Sequence, residues 1–426
     1  MERKTVKIKV VRIRLLLEYA IIFLYVISST MAVWRYIPGN SKTANMITYM
    51  IYLLVAVYGI ANIVISGSGK IKKRDITLVA LVLAYNILYS IISRDTSSTF
   101  YMWMLLPLII MLILCCSLKN CGRLKQFVME FETIILILAI ISCILYFGGE
   151  IFHILPYKMI AVTRGEMATY SIKSYFGLTY IGQSQTVFGI TFARNTGIFL
   201  EGPSWGSFLW PAFFVELFVK EKPSKFNVIA LSVTAITTFS AKAIIFMMII
   251  AGLKYISDSV IKTHEGDTKF NYKVLIWPFL ICVISIIVFN LLTSKSTFEG
   301  GSIVARLDDT VATFAAWKNN VLFGCGFYNE SYIRSFMTGN TLRGNTAGLL
   351  KVFALGGIFI GIEYLGGIIL FIKNSLNSFC EKIAFGGLFI INLFLSSTFN
   401  SLFSLFFVAL GLTYILGKGN GCITDE

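Results

Sequence analysis

The chain has 426 residues, of which 56 % are hydrophobic and only 14 % charged, with a formal net charge of +15. Soluble domains carry about 25 % charged residues, so a fold closed around one aqueous-phase core is excluded. The mean hydropathy of +0.77 requires the apolar surface to lie in lipid, and the basic excess reads as lysines and arginines that hold loops on the cytoplasmic side. No basic and aromatic nucleic-acid motif is present, so nucleic acid is not expected as a partner.

Several apolar runs approach the roughly 20 residues that a bilayer crossing needs. They are continuous and lack the alternation of barrel strands, which predicts helices. The expected fold is all-α: one integral membrane domain over 1–426 with about 12 transmembrane helices and two large extracytoplasmic loops. Spans are predicted at roughly 15–34, 46–65, 76–93, 101–117, 128–147, 204–219, 226–239, 243–257, 274–292, 347–371, 383–397 and 400–416. The basic N-terminus leads into a run interrupted by Glu18, which does not read as a cleavable signal. The cysteines, among them Cys115, Cys116, Cys143 and Cys282, show no zinc or redox spacing and read as small core residues.

Arg3, Lys4, Lys7, Lys9, Arg12 and Arg14 place the N-terminus in the cytoplasm. Alternation then puts Lys70, Lys72, Lys73 and Arg74 on the same side, followed by Lys119, Arg123 and Lys125. Lys220, Lys222 and Lys225, then Lys262 and Lys269, and finally Lys373, Lys382 and Lys418 join them. Residues 226–257 read either as two short helices split at Thr237–Lys242 or as one long helix, which would invert everything after it. Residues 383–416 pose the same choice at Ser396–Asn400. The two-helix readings leave segments 148–203 and 293–346 outside. Both are too long for simple connectors, so chemistry is expected there and at the helix ends beneath them.

The first of these segments ends in Arg194-Asn-Thr-Gly197-Ile-Phe-Leu-Glu201-Gly-Pro203. Gly197, Gly202 and Pro203 bend the chain before a helix that Pro203 opens and Ser204 or Ser207 caps. Arg194 and Glu201 at this mouth either bind an oxyanion or phosphate or form an ion pair that folds the loop. Lys242, in Ser240-Ala-Lys242 between two apolar runs, either meets an anion or snorkels to water. The second segment starts with Arg306 on an amphipathic helix whose Val304, Leu307, Val311, Phe314 and Ala315 share one face. Gly324 and Gly326 allow a tight turn, and the segment closes on Arg343-Gly-Asn345-Thr. Arg306 and Arg343 either bind substrate or solvate the loop. Asp308-Asp309 has no second acidic cluster at metal-site spacing, and His153 and His264 stand far from the arginines in sequence, so no metal is expected. No internal repeat and no broken helix is read from the sequence.

These motifs resemble, in order and spacing over roughly residues 190–415, the O-antigen and capsule repeat-unit polymerases of the Wzy type. They correspond to Arg194 through Pro203, then Thr238-Phe-Ser240-Ala-Lys242, Arg306, Leu322-Phe-Gly324-Cys-Gly326 and Asn345 through Gly356-Gly357. Before residue 190 the likeness lies only in a set of spans. Lys242 stands where an arginine is common, and Gly202 inserts between Glu201 and Pro203. Asn345 stands where the related ligases carry histidine, which favours a polymerase over an O-antigen ligase. The resemblance implies transfer of a glycan from undecaprenyl diphosphate to a second lipid-linked repeat unit, at the outer face of the bacterial cytoplasmic membrane. It implies lipid-linked oligosaccharide and membrane lipid as partners, a chain-length regulator protein beside them, and no cofactor. Arg194, Arg306 and Arg343 would hold diphosphate oxygens, Lys242 and Asn345 would help bind substrate, and Glu201 would act as general base. A transporter or flippase of lipid-linked sugars is the runner-up. Cations converging in one outer cavity would favour the enzyme, and charges such as Glu18, Lys351 and Glu363 lining a through path would favour the transporter.

Overall fold

Apolar runs in lipid become helices because the backbone must satisfy its own hydrogen bonds there. The computed structural model describes residues 2–29, 31–65, 72–93, 97–163, 169–187, 189–264, 302–338 and 345–416. The expected span at 274–292 and Arg343 lie outside the described residues. The described chain is mostly helical. Helices α1 (Glu2–Ile27) and α2 (Ser41–Ile65) open it, followed by α3 (Lys73–Ser93), α4 (Ser98–Asn120) and α5 (Leu124–Ile151). After a strand region come α6 (Gly202–Phe214, prolonged by a π-helical turn at Val215–Val219), α7 (Lys225–Thr237) and α8 (Ala241–His264). Helices α9 (Ser302–Asn319), α10 (Glu330–Arg334) and α11 (Gly348–Ser375) follow. The last two are α12, running from Phe379–Glu381 through a wide turn to Leu388–Leu395, and α13 (Leu402–Leu412). Among the described residues α3, α4, α5 and α11 are long and apolar enough to cross a membrane, which marks a membrane protein.

The choice left open at 226–257 resolves into two helices. The chain turns at Thr238–Ser240, where Phe239 takes a positive φ of 48°. Residues 383–416 likewise divide between Leu395 and Leu402.

Three features depart from the sequence reading. First, residues 148–203 are not purely loop. They carry β1 (Lys158–Val162), β2 (Tyr170–Tyr175) and β3 (Thr179–Ile181) in one antiparallel sheet, and the hairpin β4 (Ser184–Val187) and β5 (Ile190–Ala193). Short alternating stretches such as Tyr170-Ser-Ile-Lys-Ser-Tyr175 favour pleated backbone and are far shorter than a membrane span. The sheet is anchored on the 3-10 turn Val33–Tyr36 that follows α1, since Val33, Val162, Ile172 and Leu200 share one small core.

Second, the amphipathic helix α9 packs with the opposite face to the one its pattern suggests. Asp309, Ala312, Thr313 and Ala316 are buried, whereas Val304, Leu307, Val311 and Phe314 are exposed. An apolar stripe facing away from the protein suits a helix lying against the lipid interface.

Third, α11 is broken at Gly357, whose φ of 66° and ψ of −168° are non-helical. The turn at Leu322–Gly326 docks against the break. Cys325 N donates to Ala354 O at 2.8 Å, Gly326 N to Leu355 O at 3.0 Å, and Ile358 N to Val321 O at 2.9 Å. A Cβ on Gly324 would collide with the Leu355 backbone and one on Gly357 with the Leu322 carbonyl. From α3, the Tyr89 hydroxyl reaches Phe323 O at 3.1 Å and the Tyr85 hydroxyl reaches Phe359 O at 2.6 Å. Every one of these contacts satisfies a backbone group that lipid could not.

Candidate functional site

The segment from Arg194 to Glu201 is held by its backbone on three sides. Arg194 N donates to Gln183 O, Asn195 N to Thr237 O, and Leu200 N to Met31 O. Buried Asn195 also bonds the Thr237 hydroxyl at 3.1 Å and closes a turn by accepting from Gly197 N. This turn needs Gly197 at a positive φ of 55°. The segment is therefore rigid before it reaches the N-terminus of α6, where Glu201 is the N-cap residue.

Arg194 is buried against the α7–α8 turn. Its Nε donates to Thr238 O at 2.9 Å and its Nη2 to Phe239 O at 3.4 Å. Gly202 lies under the guanidinium, where a Cβ would meet Nη2 at 2.9 Å. Burial lowers its pKa to about 10, against the opposing pull of Glu201. The expectation that Arg194 offers its fork to a diphosphate is thus revised, because two of its donors already hold carbonyls and it forms a wall of the site.

Lys242 lies in the first turn of α8, where the helix dipole disfavours a cation. Its Nζ donates to Ser207 Oγ at 2.9 Å and to Asn392 Oδ1 at 2.8 Å. Gly206 permits this approach, since its Cα packs against Ala243 of α8 with no room for a side chain. Desolvation, then the charge of Arg306, lowers the Lys242 pKa to about 7, while Glu201 raises it. Arg306, one turn into α9, donates Nη1 to Leu395 O at 3.1 Å. That carbonyl ends α12, where the dipole favours a cation. Burial lowers the Arg306 pKa, and Glu201 and Asp309 oppose it.

Glu201 therefore acts electrostatically on Arg194, Lys242 and Arg306 alike. The structure brings these four expected residues together, beside the N-termini of α6 and α8. Positive side chains outnumber the carboxylate, and two helix N-termini add partial positive charge. Such a cluster is suited to a multiply charged anion, with a carboxylate next to it.

Asn345 is used differently from expectation. Its Nδ2 donates to Thr313 Oγ1 at 2.7 Å and its Oδ1 accepts from Ala347 N at 2.8 Å. Next to it, Thr346 donates twice to Asp309 Oδ2. The pair fastens α9 to the start of α11, which positions Arg306. Sequence reading missed Asn392 and treated Ser207 only as a cap. The signal for Asn392 was available, because it is the one polar residue in Leu388–Leu395 and buried polar groups in apolar runs need partners.

The chain matches no protein-family model, and no curated protein or solved structure is significantly similar to it.

Proposed function

We propose that this chain is a polytopic glycosyltransferase of the bacterial cytoplasmic membrane, with about 12 spans, that polymerises lipid-linked oligosaccharide repeat units at the outer face. The observation that carries this reading is the convergence of Lys242, Arg306 and Arg194 on Glu201 at the mouths of α6 and α8. In the reaction, an acceptor hydroxyl attacks the anomeric carbon of the donor glycan. The bond from that carbon to the diphosphate oxygen breaks, and the diphosphate leaves with the electron pair. Lys242 and Arg306 hold the charge that grows on it, Arg194 fixes the wall, and Glu201 takes the hydroxyl proton. A chain-length regulator protein is the expected partner.

A transporter of lipid-linked sugars is the second reading, favoured by the break in α11, because discontinuous helices often bind cargo. Here the freed backbone groups Ala354 O, Leu355 O, Ile358 N and Phe359 N are taken by the turn at 321–326. The intramembrane charges also have partners: Glu18 is matched by Arg123 and Tyr58, Glu363 by Asn86 at 2.9 Å, and Lys351 by the half-exposed Glu330 at 2.6 Å. These pairings leave little for a charged through path, which supports the enzyme.

The test is gel analysis of surface glycans. A deletion strain should lose its ladder and retain a single repeat unit, and a strain expressing Glu201→Gln at normal level should do the same. General-base loss costs about a hundred-fold or more. Normal ladders from Glu201→Gln would remove Glu201 as the base, and unchanged ladders in the deletion strain would overturn the polymerase reading.

A further inference from the structure

A polymerase needs two lipid-linked substrates at once, whereas the Lys242–Arg306 cluster holds one diphosphate. On the other side of α6 three spaces lie one after another. The deepest is an apolar shaft walled by Ile22, Val55, Leu114, Phe131, Phe214 and Phe407, with about 60 Å³ at its centre. Its lining is hydrocarbon and aromatic, which suits a hydrocarbon chain. Tyr25 and Leu402 belong both to the shaft and to the next space, a vestibule that adds Arg35, Thr48, Trp103 and Ser401. Trp103 and Asn400 in turn belong both to the vestibule and to an open cleft with Thr99, Phe327, Glu330 and Phe399.

The chemistry changes in a fixed order along this series. Hydrocarbon and aromatic rings come first. A cation with hydroxyls follows. An aromatic ring with a carboxylate and an amide comes last. A lipid-linked saccharide has the matching order of chain, phosphate and sugar. Arg35 is oriented for the middle part, since its Nη1 donates to Ser28 O at 2.7 Å and to Thr48 Oγ1 at 3.4 Å, which fixes the fork. At the joint between shaft and vestibule, the Tyr25 hydroxyl is buried and has no hydrogen-bond partner among the described residues. Buried hydroxyls are ordinarily satisfied, so this one points to a polar group that the protein does not supply. At the open end, Glu330 is held by Lys351 at 2.6 Å and stays half exposed to the cleft.

We propose that these spaces form a second lipid-linked substrate site. The shaft takes a polyprenyl chain, Arg35 and Tyr25 take the phosphate oxygens, and the Trp103–Asn400–Glu330 cleft takes the sugar. Arginine suits phosphate through bidentate contacts, and aromatic faces with a few placed polar groups suit a ligand pocket. The two sites share walls. Ser207 of α6 faces Lys242 while Phe208 lines the vestibule. Asn392 and Leu395 O serve the first site, and Asn400 and Ser401 serve the second. The acceptor and donor would thus meet across the first turns of α6 and the 396–401 turn. This assignment rests on the polymerase reading.

The test uses the full chain in phosphatidylcholine nanodiscs and a polyprenyl diphosphate disaccharide carrying a diazirine at the chain terminus. Cross-links should map to the peptides of Phe131, Phe214 or Phe407. Arg35→Gln should weaken labelling about tenfold, the usual scale of a lost charge-assisted contact, and Arg35→Lys should recover part of it. Trp103→Ala leaves the Arg35 contacts in place, so it should weaken the disaccharide probe and spare a sugar-free polyprenyl diphosphate. Cross-links spread over exposed Leu81, Ile137 and Ile144, full labelling of Arg35→Gln, or one-for-one displacement by phosphatidylglycerol would each overturn the site. Shaft labelling in a protein whose deletion leaves glycan ladders unchanged would instead overturn the polymerase reading and leave the lipid site standing.

Discussion

Lys242 Nζ stands 2.8 Å from Asn392 Oδ1, joining two helices at positions 150 residues apart. The contact offsets two costs at once, the burial of an ammonium and its place at a helix N-terminus. Asn392→Leu keeps much of the volume and deletes the acceptor, so polymerisation should fall on the order of tenfold. Lys242→Ala should fall further, by about a hundred-fold. Because the two residues act as one unit, the double variant should be no worse than Lys242→Ala alone. Additive losses, read from glycan ladder lengths at matched expression, would separate them.

The low pKa of Lys242, about 7, gives a pH dependence with a defined sign. Below that value the ammonium is charged and attracts an anion, which on the proposed function is the diphosphate. Above it the amine is neutral, and affinity for polyprenyl diphosphate should drop about tenfold, with Arg306 still binding. Stability of the ligand-free protein should move the other way. Between about 7 and the ordinary value of 10.5 the unfolded chain holds a proton that the folded chain has released, so stability rises with pH. Titration calorimetry and thermal unfolding across pH 6–9 read both effects, and Lys242→Gln should flatten both curves.

Arg194→Ala should leave the Thr238 and Phe239 carbonyls without their donor, at about 1–3 kcal/mol for each buried group. Arg194→Lys keeps the charge but reaches only one carbonyl, so it should be milder. Melting in detergent and protease cutting within 194–201 measure the difference. Equal melting of all three proteins would show that this clamp does not hold the loop.

Gly357→Ala should destabilise strongly. A residue with a Cβ at positive φ costs roughly 1–3 kcal/mol, and overpacking against the Leu322 carbonyl adds about 1–3 kcal/mol. Gly324→Ala meets the mirror-image obstacle at Leu355. Gly366→Ala, on the same helix with open space beside it, is the control and should melt like the parent.

Cysteines placed at exposed Ser171 in β2 and exposed Ser331 in α10 should react with a membrane-impermeant maleimide from outside intact cells. Reaction of either only after the inner face is opened would reverse the orientation proposed from the lysine and arginine bias.

Helix positions were legible because lipid imposes long apolar runs, and α3, α4, α5 and α11 fall where those runs predict them. The turn at Thr238–Lys242 was legible too, since polar groups interrupt the run. The strands of 158–193 were hidden because pairing partners such as Lys158 and Ser174 are set by contact across the sheet and not by local pattern. The site was half legible. Arg194, Glu201, Lys242 and Arg306 stood out as charges beside apolar helices, but Arg194 and Arg306 are partnered by carbonyls of Thr238, Phe239 and Leu395, and carbonyls have no sequence signature. The inverted face of α9 was unreadable for a related reason, since periodicity names an apolar stripe but not whether protein or lipid covers it.

The break in α11 has a consequence for how the protein is made. A lone helix with this interruption would enter the bilayer with bare carbonyls at Ala354 and Leu355 and bare N–H groups at Ile358 and Phe359, and each unsatisfied group there costs several kcal/mol. The 321–326 turn covers these groups, and α3 braces the joint from more than 200 residues upstream, Tyr85 on Phe359 O at a separation of 274 and Tyr89 on Phe323 O of the turn. Biogenesis of this span is therefore conditional. During synthesis Tyr85 and Tyr89 of α3 must wait for their acceptors until the 321–326 turn and α11 have both been made. Truncation before that turn should yield a chain the quality-control proteases remove, even though most of its hydrophobic segments have already been inserted.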